Sequence, residues 1–168
     1  VLYIAREVTD RQRSVQSGLA EIRDPRVLDR LDAEDFEGLD VVIEEQADED
    51  REYAVVLARV TLAAAKAKGF DDQIVDASLR LDTLLPGDDP SHERDRLLRE
   101  AYGIAQRVGY VEGGRAALSR LGMRALDAGD SERARGLLVQ QLELGDEEDD
   151  DIAEVNAAIA LGDLLRKE

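Results

Sequence analysis

Few side chains in this 168-residue chain are of a type that does chemistry. It has one histidine, His92, and no cysteine. Acid–base work or metal binding at His92 would need partners, and the sequence offers no second histidine and no cysteine. His92 follows Ser91 at a helix start and reads as a surface residue of the cap. Glu44 follows Gly38 at the separation a calcium loop uses, with Asp35 and Glu37 at ligand positions. Ala33, however, stands where the first ligand belongs, and Asp40 replaces an apolar residue, which excludes an EF-hand. The acidic run from Asp146 to Asp151 reads as a solvated loop, able to gather calcium or magnesium only loosely. The stretch Gly109-Tyr110-Val111-Glu112-Gly113-Gly114 lacks the Lys-Ser/Thr of a phosphate loop and lies between helices. No Gly-x-Ser-x-Gly elbow exists. Carboxylate pairs are abundant only because acids are abundant. The reading is a non-enzyme, with no catalytic, cofactor-binding or metal-ligating residues and no cofactor.

The charge narrows the partners. There are 39 acidic residues against 22 basic, for a formal net charge of −17. Nucleic-acid backbones and anionic membranes carry the same sign, so both are poor partners. No apolar run nears the roughly 18 residues of a membrane span, and no basic segment followed by an apolar one opens the chain as a signal peptide. The lack of cysteine excludes a disulfide-stapled secreted fold. A cytoplasmic protein is the expectation. Lysine is scarce (Lys66, Lys68, Lys167), so nearly all the basic residues are arginine. The acidity reads as adaptation to a halophilic cytoplasm, where salt screens self-repulsion over about 3 Å at 1 M, or as a match to a basic partner. The chain starts at Val1, not Met, which reads as a piece of a longer protein.

The elements that would position any site are helical. Hydrophobic residues make up 43%, aromatics 4%, and there are three prolines, a composition that favours helix. Val1, Val8, Val15 and Ile22 recur every seven residues and predict a helix up to Asp24-Pro25. It either packs on the rest of the chain or joins two copies as a homodimer through residues 1–23. A short helix carrying Val27, Leu28 and Leu31 follows. Residues 32–52 are dense in acid and read as a linker with one weak helix, on which Phe36, Leu39, Val42 and Ile43 keep helical spacing. The domains expected are therefore 1–47, N-terminal helices and acidic linker, and 48–168, a helical repeat.

Within 48–168 the periodicity predicts six helices. Tyr53, Val56, Leu57, Val60 and Ala64 form one apolar face, closed by Gly69. Ile74 to Leu85 is stopped by Pro86-Gly87. Ser91 opens a helix with Leu97, Leu98, Ala101, Ile104, Ala105 and Val108, ending at Gly109. Residues 112–128 follow, then a helix capped by Ser131 with Ala134, Leu137, Leu138 and Leu142. The last covers Ile152 to Leu165. Turns of two to six residues imply antiparallel neighbours.

Gly69 and Gly109 stand 40 residues apart, and Leu121-Gly122 and Leu161-Gly162 repeat that interval, the mark of a helical solenoid. Residues 115–146 resemble a tetratricopeptide repeat: Leu118, Leu121, Gly122 and Ala125 fall on the first helix, Gly129-Asp130 on the turn, Ala134 at the small position and Leu138 at the aromatic one. Asp146 stands where the family has Pro. A second copy begins with Ala158, Leu161, Gly162 and Leu165. Small residues at 122 and 134 would let two helix axes approach closely. The resemblance implies an all-α fold of antiparallel hairpins stacked as a right-handed superhelix. It also implies a scaffold that binds a peptide or protein segment in a groove lined by Ser119, Arg120, Met123 and Asp127 from one repeat and Asn156, Ile159, Asp163 and Arg166 from the next. Met123 stands where carboxylate-clamping members of the family carry Asn. The alternatives are a structural dimerisation segment and a regulatory part of a longer sensory protein.

Overall fold

A computed structural model of the chain describes residues 32–87, 92–144 and 159–162; they are helical apart from short turns, with no strand among them. The chain divides into two compact units, residues 1–88 and 89–168. The seam of Val1, Val8, Val15 and Ile22 lies outside the described residues. So does most of the last expected helix, of which residues 159–162 are helical.

The first unit holds α1 (Ala33–Glu49), α2 (Arg51–Lys68) and α3 (Asp71–Leu84). The acidic stretch that reads as a linker with one weak helix is a full helix of 17 residues. A capping box starts it: Asp35 N–H donates to Asp32 Oδ1 at 3.2 Å and Asp32 N–H to Asp35 Oδ2 at 3.0 Å, which satisfies two otherwise orphan donors. Phe36 and Ile43, two turns apart, are 1% and 0% exposed. Their burial holds a helix that its charge alone would disfavour. The Phe36 ring meets Phe70, in the turn after α2, edge-on with centroids 5.8 Å apart.

Helix α2 packs on α1 and on α3, and this changes which of its residues are buried. Ala54, Ala58, Thr61, Leu62, Ala64 and Ala65 are inside, whereas Tyr53, Val56, Leu57 and Val60 are half-buried. A helix with neighbours on two sides brings its small residues to the contact lines, where axis separation is least. The larger apolar residues flank those lines. The guanidinium of Arg51, in the first turn of α2, donates to the carbonyls of Leu84 at 2.9 Å and Thr83 at 3.1 Å. It satisfies acceptors that the end of α3 leaves without intrahelical partners.

The second unit holds α4 (Glu93–Val108), α5 (Val111–Asp127) and α6 (Ser131–Glu143), with α5 packed on both others. The same turn ends helices at Gly69, Gly109 and Gly129, so it marks helix ends and not a 40-residue period. Gly69 and Gly109 adopt φ of 70° and 78°, a left-handed conformation that glycine enters without a Cβ penalty. Phe70 N–H reaches the Ala65 carbonyl at 3.1 Å, and Tyr110 N–H reaches that of Ala105 at 2.9 Å. This is the six-to-one bond of a Schellman end. The cap residues differ from expectation at two helices. His92, exposed and at φ 54°, is the N-cap of α4 and makes no side-chain cap bond. Asp130, not Ser131, caps α6, its carboxylate accepting from Arg133 N–H at 3.2 Å. A carboxylate there also suits the positive end of the helix dipole.

The two small positions do lie in one helix interface. A Cβ added to Gly122 would stand 2.9 Å from Leu138 Cδ2 and 3.0 Å from Leu138 Cγ, so α5 and α6 are as close as a glycine allows. Ala134, fully buried, packs with Ala125 in the same interface. Leu97, Leu98, Ala101, Ile104 and Ala105 are buried on α4 as their spacing predicts, but Val108 is 41% exposed. The architecture is all-α, with consecutive helices packed against each other within each unit.

Candidate interaction site

Helix α5 buries Gly113, Gly114, Ala117, Leu118, Leu121, Gly122 and Ala125 against its neighbours. At about 100° per residue, these occupy one half of its circumference. Ser119, Arg120, Met123 and Asp127 fall on the opposite half. Met123 and Asp127 are exposed, and Ser119 and Arg120 are half-buried. The structure thus brings these four candidate residues onto one face spanning the last three turns of α5. Ile159 is 56% exposed. Asn156, Asp163 and Arg166 lie outside the described residues.

A second cluster stands at the end of the unit where α4 begins, α5 ends and α6 begins. Asp95, in the first turn of α4, accepts from Arg124 Nε of α5 at 2.8 Å on Oδ1. On Oδ2 it accepts from Arg133 of α6 at 3.0 Å and from Arg99 at 2.9 Å. One carboxylate therefore ties three helices together. Burial by itself would push the Asp95 carboxyl up, but the hydrogen bonds and charges of Arg124 and Arg133 outweigh it and hold the group below the usual carboxylate range. The sequence shows only the Asp95–Arg99 pair, at a helical i,i+4 spacing. Arg124 and Arg133 stand 29 and 38 residues from Asp95, and no local pattern points to them.

At the opposite end of the same unit, Tyr102, Tyr110, Val111, Gly114 and Leu144 line a small apolar cleft of about 90 Å³. Gln106 Nε2 donates to the Tyr102 hydroxyl at 3.1 Å.

In the first unit, Arg80 of α3 pairs with Glu44 and lies 3.8 Å from Asp40, both on α1. Asp40 Oδ1 is buried and accepts no hydrogen bond. Burial raises the Asp40 carboxyl above its ordinary value; Arg80 opposes this, while the charges of Asp76 and Glu44 add to it. Asp35, Glu37, Gly38 and Glu44 all stand on the continuous helix α1, whose backbone cannot wrap a calcium ion. Among the described residues, no group of three or more acids or histidines is placed to hold a metal ion. No helix there is long and apolar enough to cross a membrane.

No family model matches the chain, and neither a curated protein nor a solved structure is significantly similar to it.

Proposed function

We propose that this chain is a non-enzymatic scaffold that binds a peptide or protein segment along the outer face of α5, in the groove of a tetratricopeptide-like right-handed superhelix. The observation that carries the reading is the α5 face itself. Neighbours on both sides fix the helix, while Met123, 48% exposed, stands between side chains of opposite charge, Arg120 and Asp127. A thioether on an unbranched stem adapts to varied apolar partners, and flanking charges of both signs set the register of a bound segment. The Gly122–Leu138 approach supports a helical repeat as the frame. Ile159 supplies a second exposed apolar residue one repeat on.

A photoreactive phenylalanine analogue at position 123, used in host lysate at its own ionic strength, tests the proposal. It should cross-link a discrete partner that the same probe at the exposed Glu132 does not. Arg120→Glu should weaken capture about tenfold, the equivalent of 1.4 kcal/mol. Equal capture by both probe positions, or capture indifferent to Arg120→Glu, would remove the groove assignment.

A further inference from the structure

We infer that the arginine cluster around Asp95 is a binding site for a doubly charged oxyanion, a phosphate group borne by a small ion or by a phosphorylated side chain. Three guanidinium groups, from Arg99, Arg124 and Arg133, converge on one carboxylate. Among the described residues, Asp95 is the single acid within ion-pair distance of any of the three. The cluster therefore holds a surplus of two positive charges in a chain whose formal net charge is −17.

The donors are as unbalanced as the charges. A guanidinium carries five N–H groups in a planar fork. Arg99 and Arg133 each spend one terminal nitrogen on Asp95, and Arg124 spends its Nε. The remaining N–H groups reach solvent: the side chains of Arg99, Arg133 and Arg124 are 58%, 40% and 22% exposed. Asp95, at 14%, is set deeper and anchors the forks from below. Guanidinium forks match the oxygens of phosphate in pairs, which a lysine ammonium does not.

The charge selects among anions. A phosphate monoester carries about −1.5 to −2 near neutral pH, equal and opposite to the surplus, whereas a single carboxylate would neutralise half of it. The surplus is local: Glu93, Asp130 and Glu132 stand beside it at the starts of α4 and α6, so a small anion held within reach of the three guanidinium groups is favoured, while a polyanion that extends past them meets these carboxylates and is repelled. The site lies at the end of the three-helix unit and does not rest on the α5 groove.

Calorimetric titration of the full chain with inorganic phosphate, and separately with a short phosphoserine peptide, tests the inference in about 0.15 M salt, where the screening length is about 8 Å. One saturable site is expected. Arg99→Gln combined with Arg133→Gln, at exposed positions, should weaken binding at least tenfold with helical content unchanged. Asp95→Asn should tighten it several-fold, because it removes the competing acceptor; a purely structural cluster would show no such gain. Should Asp95→Asn fail to fold, the double glutamine variant decides. Binding of both titrants assigns the site to the phosphate group alone, and binding of the peptide only assigns it to a phosphorylated side chain. No saturable binding of either, or binding that survives the double glutamine substitution, overturns the inference.

Discussion

Gly122→Ala isolates the close approach of α5 and α6. The added methyl would stand 2.9 Å from Leu138 Cδ2, 3.0 Å from Leu138 Cγ and 3.8 Å from Leu137 Cβ. Leu138 is 1% exposed, so its side chain has little room to turn away, and overpacking of this kind costs about 1–3 kcal/mol. Against that, alanine is better than glycine inside a helix by about 1 kcal/mol. The net expectation is a loss of about 0–2 kcal/mol. Gly103 on α4 and Gly136 on α6 are matched controls, since a Cβ at either meets nothing within 4 Å. Alanine there should show the helical gain alone. The contrast between Gly122→Ala and Gly136→Ala should then be about 1–3 kcal/mol, and a chain of this size moves in Tm by about 2–4 °C per kcal/mol. Thermal and urea unfolding followed by circular dichroism, with unchanged m-values, would measure it. In the double variant Gly122→Ala/Leu138→Ala the methyl enters space that Leu138 vacates, so the two losses should add to less than their sum. If Gly122→Ala raises Tm as much as Gly136→Ala, the two helices are not limited by contact at this point, and the argument from small residues is wrong.

The two perturbed aspartates should respond to pH in opposite directions. Asp95 is held below its unfolded value, so it stabilises the fold above about pH 4, and that contribution is lost as pH falls through its folded pKa. Asp95→Asn should therefore cost about 1 kcal/mol at pH 7, in keeping with partly exposed charged hydrogen bonds, and the difference from the unsubstituted chain should shrink in acid. Equal stability at pH 7 would show that the cluster contributes nothing net. Asp40 is raised, so its ionisation opposes folding at neutral pH and the opposition is relieved as pH falls toward its unfolded value. Asp40→Asn should be as stable as the unsubstituted chain or more so at pH 7, with the advantage fading toward pH 4. A clear loss at pH 7 would mean that Arg80 outweighs the burial of Asp40.

What could be read in advance follows the range of the interaction. Helix stops were legible because they are local: Gly69 and Gly109 need only their own φ and a carbonyl one turn back. The α5–α6 contact was legible because a small residue at 122 and another at 134, on either side of a short turn, have one obvious use. Helix α2 misled because an apolar stripe names a buried face only when a helix has one neighbour; with α1 and α3 on two sides, Ala54, Ala58 and Ala65 are inside and Val56 and Val60 are at the margin. The stretch from 32 to 49 misled because acid density suggests a solvated linker with one weak helix, whereas the burial of Phe36 and Ile43 docks a full helix. Asp95 marks the limit of such reading. Its partners are set by where three helix ends meet, and that depends on every turn length and packing angle between residues 93 and 133. A surplus of positive charge can therefore lie concealed in a strongly acidic chain: net charge is a sum over the sequence, while the field that a ligand meets is a sum over neighbours.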